Sequence, residues 1–192
     1  LELDWKEENN VPIVLSGRLD VNPSGTLQLS PNTVIKGVGS LYISGKLIAD
    51  GTTEQPIVFT SIRDDSYGGD TNNDGDATVP TPRRASNWNG VIIRSGGKLR
   101  SLSHAVVGYS IYGLHFDEVG FGTDVTLSNN HFVGNLNSGV TMELKEASGQ
   151  ITLRGNTNAE NANNGVRMRG TVGGLLELDW KEENNVPIVL SG

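Results

Sequence analysis

Apolar residues recur along this chain in pairs separated by a single position: Ile13 and Leu15, Leu19 and Val21, Leu27 and Leu29, Leu41 and Ile43, Ile57 and Phe59, Val125 and Leu127, Val140 and Met142, Ile151 and Leu153, Val166 and Met168. Side chains on a strand alternate between its faces, so each pair predicts a very short strand with one buried side. Turn chemistry fills the gaps, at Pro23-Ser24-Gly25, Pro31-Asn32, Asp50-Gly51, Gly96-Gly97, Asn129-Asn130, Gly155-Asn156 and Asn163-Asn164-Gly165. A β-sandwich would space its turns about 8–12 residues apart and join strands of similar length by tight hairpins. The tighter, less even spacing favours a β-solenoid, in which coils of short strands stack about 4.8 Å apart. At roughly 20–25 residues per coil, about seven coils fit beside one long loop.

Composition narrows the reading. The 192 residues include 25 Gly, 7 Pro and 19 Asn, more than a quarter of the chain, which excludes a mainly helical protein. The Asn residues fit either amide ladders stacked between coils or exposed turns, and the sequence does not choose between them. There is no Cys, so disulfides, thiolate metal sites and cysteine nucleophiles all drop out. A net charge of −7 repels phosphate backbones, and no nucleic-acid partner is expected. Apolar runs stop at about five residues, against ~18 for a membrane helix, so no membrane span is expected.

Leu1 to Gly17 reads LELDWKEENNVPIVLSG, and Leu176 to Gly192 repeats it letter for letter. Physical constraint would not fix solvent-facing letters such as Lys6, Glu7 and Glu8, so the identity points to a duplication or tandem array; a cloned overlap is the plain alternative. Residues 1–175 then form one unit and 176–192 open the next. Ile188 and Leu190 are expected at the coil position of Ile13 and Leu15, and neighbouring copies are the expected partner.

The stretch Gly25 to Ser61, GTLQLSPNTVIKGVGSLYISGKLIADGTTEQPIVFTS, resembles the right-handed parallel β-helix repeats of bacterial surface and secreted proteins. DDSYGGDTNNDGDATVPTP, followed by WNGVII at Trp88 to Ile93, resembles the insertion and re-entry strand of the same group. The resemblance covers about Val11 to Phe116. It implies an all-β, right-handed parallel β-helix with a loop insertion at about 62–87, and an extracellular or cell-surface setting. It implies no activity, because the architecture carries polysaccharide lyases, glycosidases, adhesins and inert stalks alike.

Asp70-Thr71-Asn72-Asn73-Asp74-Gly75-Asp76 matches the first half of a calcium loop, with oxygens at positions one, three and five and Gly at six for the turn. Position twelve is Thr81 instead of the bidentate Glu, so Asp64 and Asp65 are expected to complete the set. The expected ligands are thus Asp64, Asp65, Asp70, Asn72, Asp74 and Asp76, with calcium as the ion. The plain alternative is a solvated insertion.

A sugar-cleaving enzyme needs two carboxylates across one cleft, and only Asp64-Asp65 and Asp117-Glu118 suggest such a pair. Adjacent strand residues face opposite ways, which weakens both. Arg83, Arg84, Arg94 and Lys98 lie within reach as a lyase base, with nothing selecting one. His104, His115 and His131 match no compact metal spacing; the alternatives are alignment across coils or, as expected, separate exterior or corner positions. Arg167 and Arg169 alternate with Val166 and Met168 and are expected to face outward. Trp5, Tyr42, Tyr67, Trp88, Tyr109 and Tyr112 would stack on sugars only if exposed in a row, and read mostly as packing residues. The expectation is a non-enzymatic repeat unit of an extracellular fibre or surface adhesin, stiffened by calcium and contacting its own copies, with cell-surface polysaccharide as a further candidate partner. The rivals are a secreted polysaccharide lyase or glycosidase and a carbohydrate-binding module.

Overall fold

Every one of the nine apolar pairs lies on a strand, and every strand pairs in parallel with the strand one coil away. A computed structural model describes residues 2–3, 11–75, 77–81, 88–120, 122, 125–180 and 186–191. One face of the solenoid stacks six strands: β2 (Ile13–Leu15), β5 (Val34–Gly37), β8 (Ile57–Ser61), β11 (Ala105–Gly108), β14 (His131–Val133) and β16 (Thr157–Ala159). A second face stacks β3 (Arg18–Val21), β6 (Ser40–Ile43), β9 (Val91–Ile93), β12 (Leu114–Val119) and the first halves of β15 (Ser138–Arg154) and β17 (Asn163–Trp180), ending on β18 (Ile188–Leu190). The third face stacks β1 (Glu2–Leu3), β4 (Thr26–Leu29), β7 (Lys46–Asp50), β10 (Lys98–Ser103), β13 (Val125–Ser128) and the second halves of β15 and β17. The two long strands run round the corner, so faces two and three form one 12-stranded sheet.

The core is built from columns of equivalent residues. Ile43, Ile93, Phe116, Met142 and Met168 share one register position on face two, and Leu29, Ala49, Leu102, Leu127 and Leu153 share one on face three; all are buried. The fold is therefore an all-β parallel solenoid of about six turns. The seven coils expected from the sequence shrink to six because later coils are long, with 25 or 26 residues between stacked positions such as Ser110 and Asn135 or His131 and Thr157.

Two corners carry a repeated device. His104, Asn129 and Gly155 stack at one corner with φ of 47°, 55° and 61°, and Tyr109, Gly134 and Glu160 at another with 50°, 64° and 58°. Tyr109 and Glu160 tolerate this φ, but at Gly134 the space demands Gly as well, since a Cβ there would lie 2.5 Å from the Tyr109 ring. The residue after each corner turns inward and builds a ladder. Asn130 Nδ2 donates to Asn156 Oδ1 at 2.9 Å, and Asn135 Nδ2 to Asn161 Oδ1 at 2.9 Å, with Ser110 Oγ donating to Asn135 Oδ1 at 2.6 Å. Both readings of the Asn residues hold, for different ones: Asn130, Asn135, Asn156 and Asn161 are buried in ladders, while Asn32, Asn73 and Asn129 occupy left-handed turns.

Between β8 and β9 the chain leaves the coil, and the described part of this insertion holds no strand. It packs over the outward side of face one. Lys36, an outward position on β5, is covered completely, and its Nζ donates to the Gly69 carbonyl. Trp88 brings the chain back, fully buried, with its ring where a Gly37 side chain would otherwise stand.

The identical terminal segments follow different paths. Ile13–Leu15 pairs with Ile35 to Gly37 on face one, whereas Ile188–Leu190 pairs with Val166 to Met168 on face two. Glu2–Leu3 and the matching Glu177 and Leu178 do share face three, but Leu3 stands level with Leu29, in the column of Leu153, and Leu178 level with Ile151, two residues away in register. The expectation of one common coil position is overturned. Three residues with alternating apolar side chains fit either face, and the neighbouring strand decides which.

Candidate metal centres

Two groups of oxygen and nitrogen ligands stand on the outside of the solenoid. In the insertion, carboxylate oxygens of Asp65, Asp70 and Asp74 lie within 4.8 Å of one another. The turn is shaped by Asp70, whose two oxygens accept from the backbone N–H groups of Asp74 (3.1 Å) and Gly75 (2.8 Å). Gly75 itself has φ 60°, as its place at the sixth loop position requires. Asn72 Nδ2 donates to Asp74 Oδ2 at 2.7 Å, and Thr78 Oγ1 donates to the same oxygen.

Three oxygens in this insertion, Asp65 Oδ1, Asn72 Oδ1 and Asp74 Oδ1, are sealed from solvent and accept no hydrogen bond. Burial, and then repulsion from Asp70, raises the Asp65 carboxyl above its ordinary range, against the pull of Lys36. An oxygen-only set crowded with negative charge suits a hard divalent cation. Lys36 supplies part of the compensation, and burial lowers its own pKa despite Asp65, Asp64 and Asp70 nearby.

The sequence placed six residues at this site. Asp65, Asp70 and Asp74 come together, and Asn72 is bonded to Asp74. Asp64 turns away: it is 3% exposed and accepts from Thr60 Oγ1 at 2.6 Å and from the Ser66 N–H at 3.2 Å, which ties the insertion to β8. Asp76 lies outside the described residues. Lys36 carried no sequence signal, because an outward Lys on a strand reads as solvated until an insertion covers it.

The second group joins His115 and Asp117 of β12 to Glu143 of β15, again within 4.8 Å. Parallel stacking makes it: His115 sits level with Thr141, so Glu143 lies two positions further on, beside Asp117. His115 Nε2 lies 3.3 Å from Glu143 Oε1, and Arg169, level with Glu143 on the next coil, donates to that same oxygen. Burial lowers the His115 pKa, although Glu143 and Asp117 oppose it.

The three histidines do not align, since His104 is a corner residue, His131 lies on face one and His115 on face two. Asp117 and Glu118 part company: Glu118 bonds Lys145 at 3.1 Å. Arg167 and Arg169 face outward as expected. Arg94 and Arg18 both stack on Tyr42, with guanidinium carbons 4.2 and 4.6 Å from the ring centre. Arg83, Arg84 and Trp5 lie outside the described residues. Trp88 is interior, so the aromatic residues form no exposed row with it.

No family model, curated protein or solved structure matches the chain. What the structure defines is a class, the parallel β-solenoid.

Proposed function

We propose that the chain is a structural repeat unit of an extracellular fibre or cell-surface adhesin, whose acidic insertion is fastened by calcium and whose last coil receives a further copy. The observation that carries this reading is the rim of that coil. Leu178, Trp180 and Leu190 occupy core columns yet are 45%, 37% and 81% exposed, and an apolar cleft of about 580 Å³ opens between Leu178 and Leu190. Here the chain has just restarted its own opening sequence. Among the described residues no strand pairs with the outer edge of β18 or of the second half of β17, and an apolar edge of that kind on a parallel stack is a template for another coil.

Chains of two and three units test this by small-angle scattering. Continuous stacking lengthens the particle by a constant increment of about 30 Å per unit, from about six turns at ~4.8 Å. Units that tumble independently would overturn it.

A further inference from the structure

We propose that His115, Asp117 and Glu143 form a binding site for a transition-metal dication such as zinc, distinct in chemistry from the all-oxygen insertion. Four observations support it. His115 is only 9% exposed, and its Nε2 is sealed from solvent without a hydrogen-bond partner, although it faces a carboxylate oxygen 3.3 Å away. An imidazole nitrogen that faces carboxylates and receives no hydrogen bond binds a dication in the tautomer that leaves Nε2 unprotonated.

The ligands come from two adjacent coils at neighbouring register positions, held by the ladder rather than by a loop. A register shift in β12 between Phe116 and Val119, with Glu118 at φ 48°, marks a bulge directly after Asp117. Bulges re-aim side chains, and this one leaves Glu118 on Lys145 while Asp117 stays with His115 and Glu143. The Tyr112 ring, 5.1 Å from that of His115, closes one side.

One nitrogen and two carboxylates suit zinc or cobalt, with water filling the remaining position, whereas calcium prefers oxygen alone. Arg169 is the competitor. Its guanidinium holds Glu143 Oε1, and its side chain is 49% exposed, free to swing into solvent when a dication takes its place.

The test is calorimetric titration of the whole chain with Zn²⁺, paired with Co²⁺ titration followed by visible absorption. The Asp70→Asn/Asp74→Asn variant, which disables the insertion, should keep one Zn²⁺ event and a Co²⁺ spectrum with a nitrogen-ligand signature. His115→Gln should weaken Zn²⁺ binding by about tenfold or more. Glu143→Gln, at a less buried position, should do the same if His115→Gln fails to fold. Arg169→Gln should tighten binding, because it removes the competing cation. No Zn²⁺ event in the insertion-disabled chain, equal affinity in His115→Gln or Glu143→Gln, or weaker binding in Arg169→Gln would each overturn the site.

Discussion

Asn135→Leu is the sharpest probe of what holds the coils together. The Asn135 amide sits at 0% exposure, accepts from the Ser110 N–H (3.1 Å) and O–H (2.6 Å), and donates to the Val107 carbonyl (3.1 Å) and Asn161 Oδ1 (2.9 Å). Leucine keeps the same branched outline with somewhat bulkier methyl ends, so the change removes bonding without opening a cavity. Two donors of Ser110 are left buried and unpaired, at about 1–3 kcal/mol each, which gives a loss of about 4 kcal/mol. That is a large fraction of the ~5–15 kcal/mol that stabilises a typical domain.

Urea unfolding at 25 °C, followed by tryptophan fluorescence and far-ultraviolet circular dichroism together, measures the loss and shows whether the solenoid still melts as one unit. Asn22→Ala, at an exposed position, is the control and should stay within about 0.5 kcal/mol of the parent. In the double variant Ser110→Ala with Asn135→Leu, one orphaned donor is gone, so the combined loss should fall short of the sum by about 1 kcal/mol. A loss below about 1 kcal/mol for Asn135→Leu alone would show that the ladder contributes no more than an exposed amide, and the reasoning would fail.

Gly37→Ala places a methyl 2.1 Å from Trp88 Cε3, and should cost about 3 kcal/mol and red-shift the tryptophan emission; an unshifted spectrum with parent stability would contradict the packing described. Calcium at 100 times its dissociation constant should add about 2.7 kcal/mol of stability, read as a rise in thermal midpoint, and Asp70→Ala with Asp74→Ala should abolish it; a melting curve indifferent to chelator would leave the insertion merely solvated. Burial lowers the His131 pKa against the opposing pull of Glu160, so the unfolded chain takes up the proton first. The stability from its neutral form is therefore full above the ordinary value near 6.5 and is lost as pH falls from there through the lowered folded value, a slope that His131→Gln should flatten in urea midpoints measured from pH 5 to 8.

Strand existence was legible in the sequence because period-two alternation is local: each apolar pair reports its own buried side whatever lies above or below it. The acidic loop was legible for the same reason, since Asp70, Asn72, Asp74 and Gly75 shape one turn by contacts within a few residues. Stacking could not be read this way. Which face Ile188–Leu190 joins, whether Asn130 faces a turn or a ladder, and that Lys36 lies beneath an insertion all depend on residues one coil or more away. The His115, Asp117 and Glu143 group exists only once register sets β12 against β15, and a slip of β12 by one residue would turn His115 and Asp117 to the side of the sheet opposite Glu143. Sequence alone thus determined the strands and the turn, because their causes are short-range; the tertiary structure decided the columns, because a parallel ladder brings together residues whose only relation in the chain is the length of a coil.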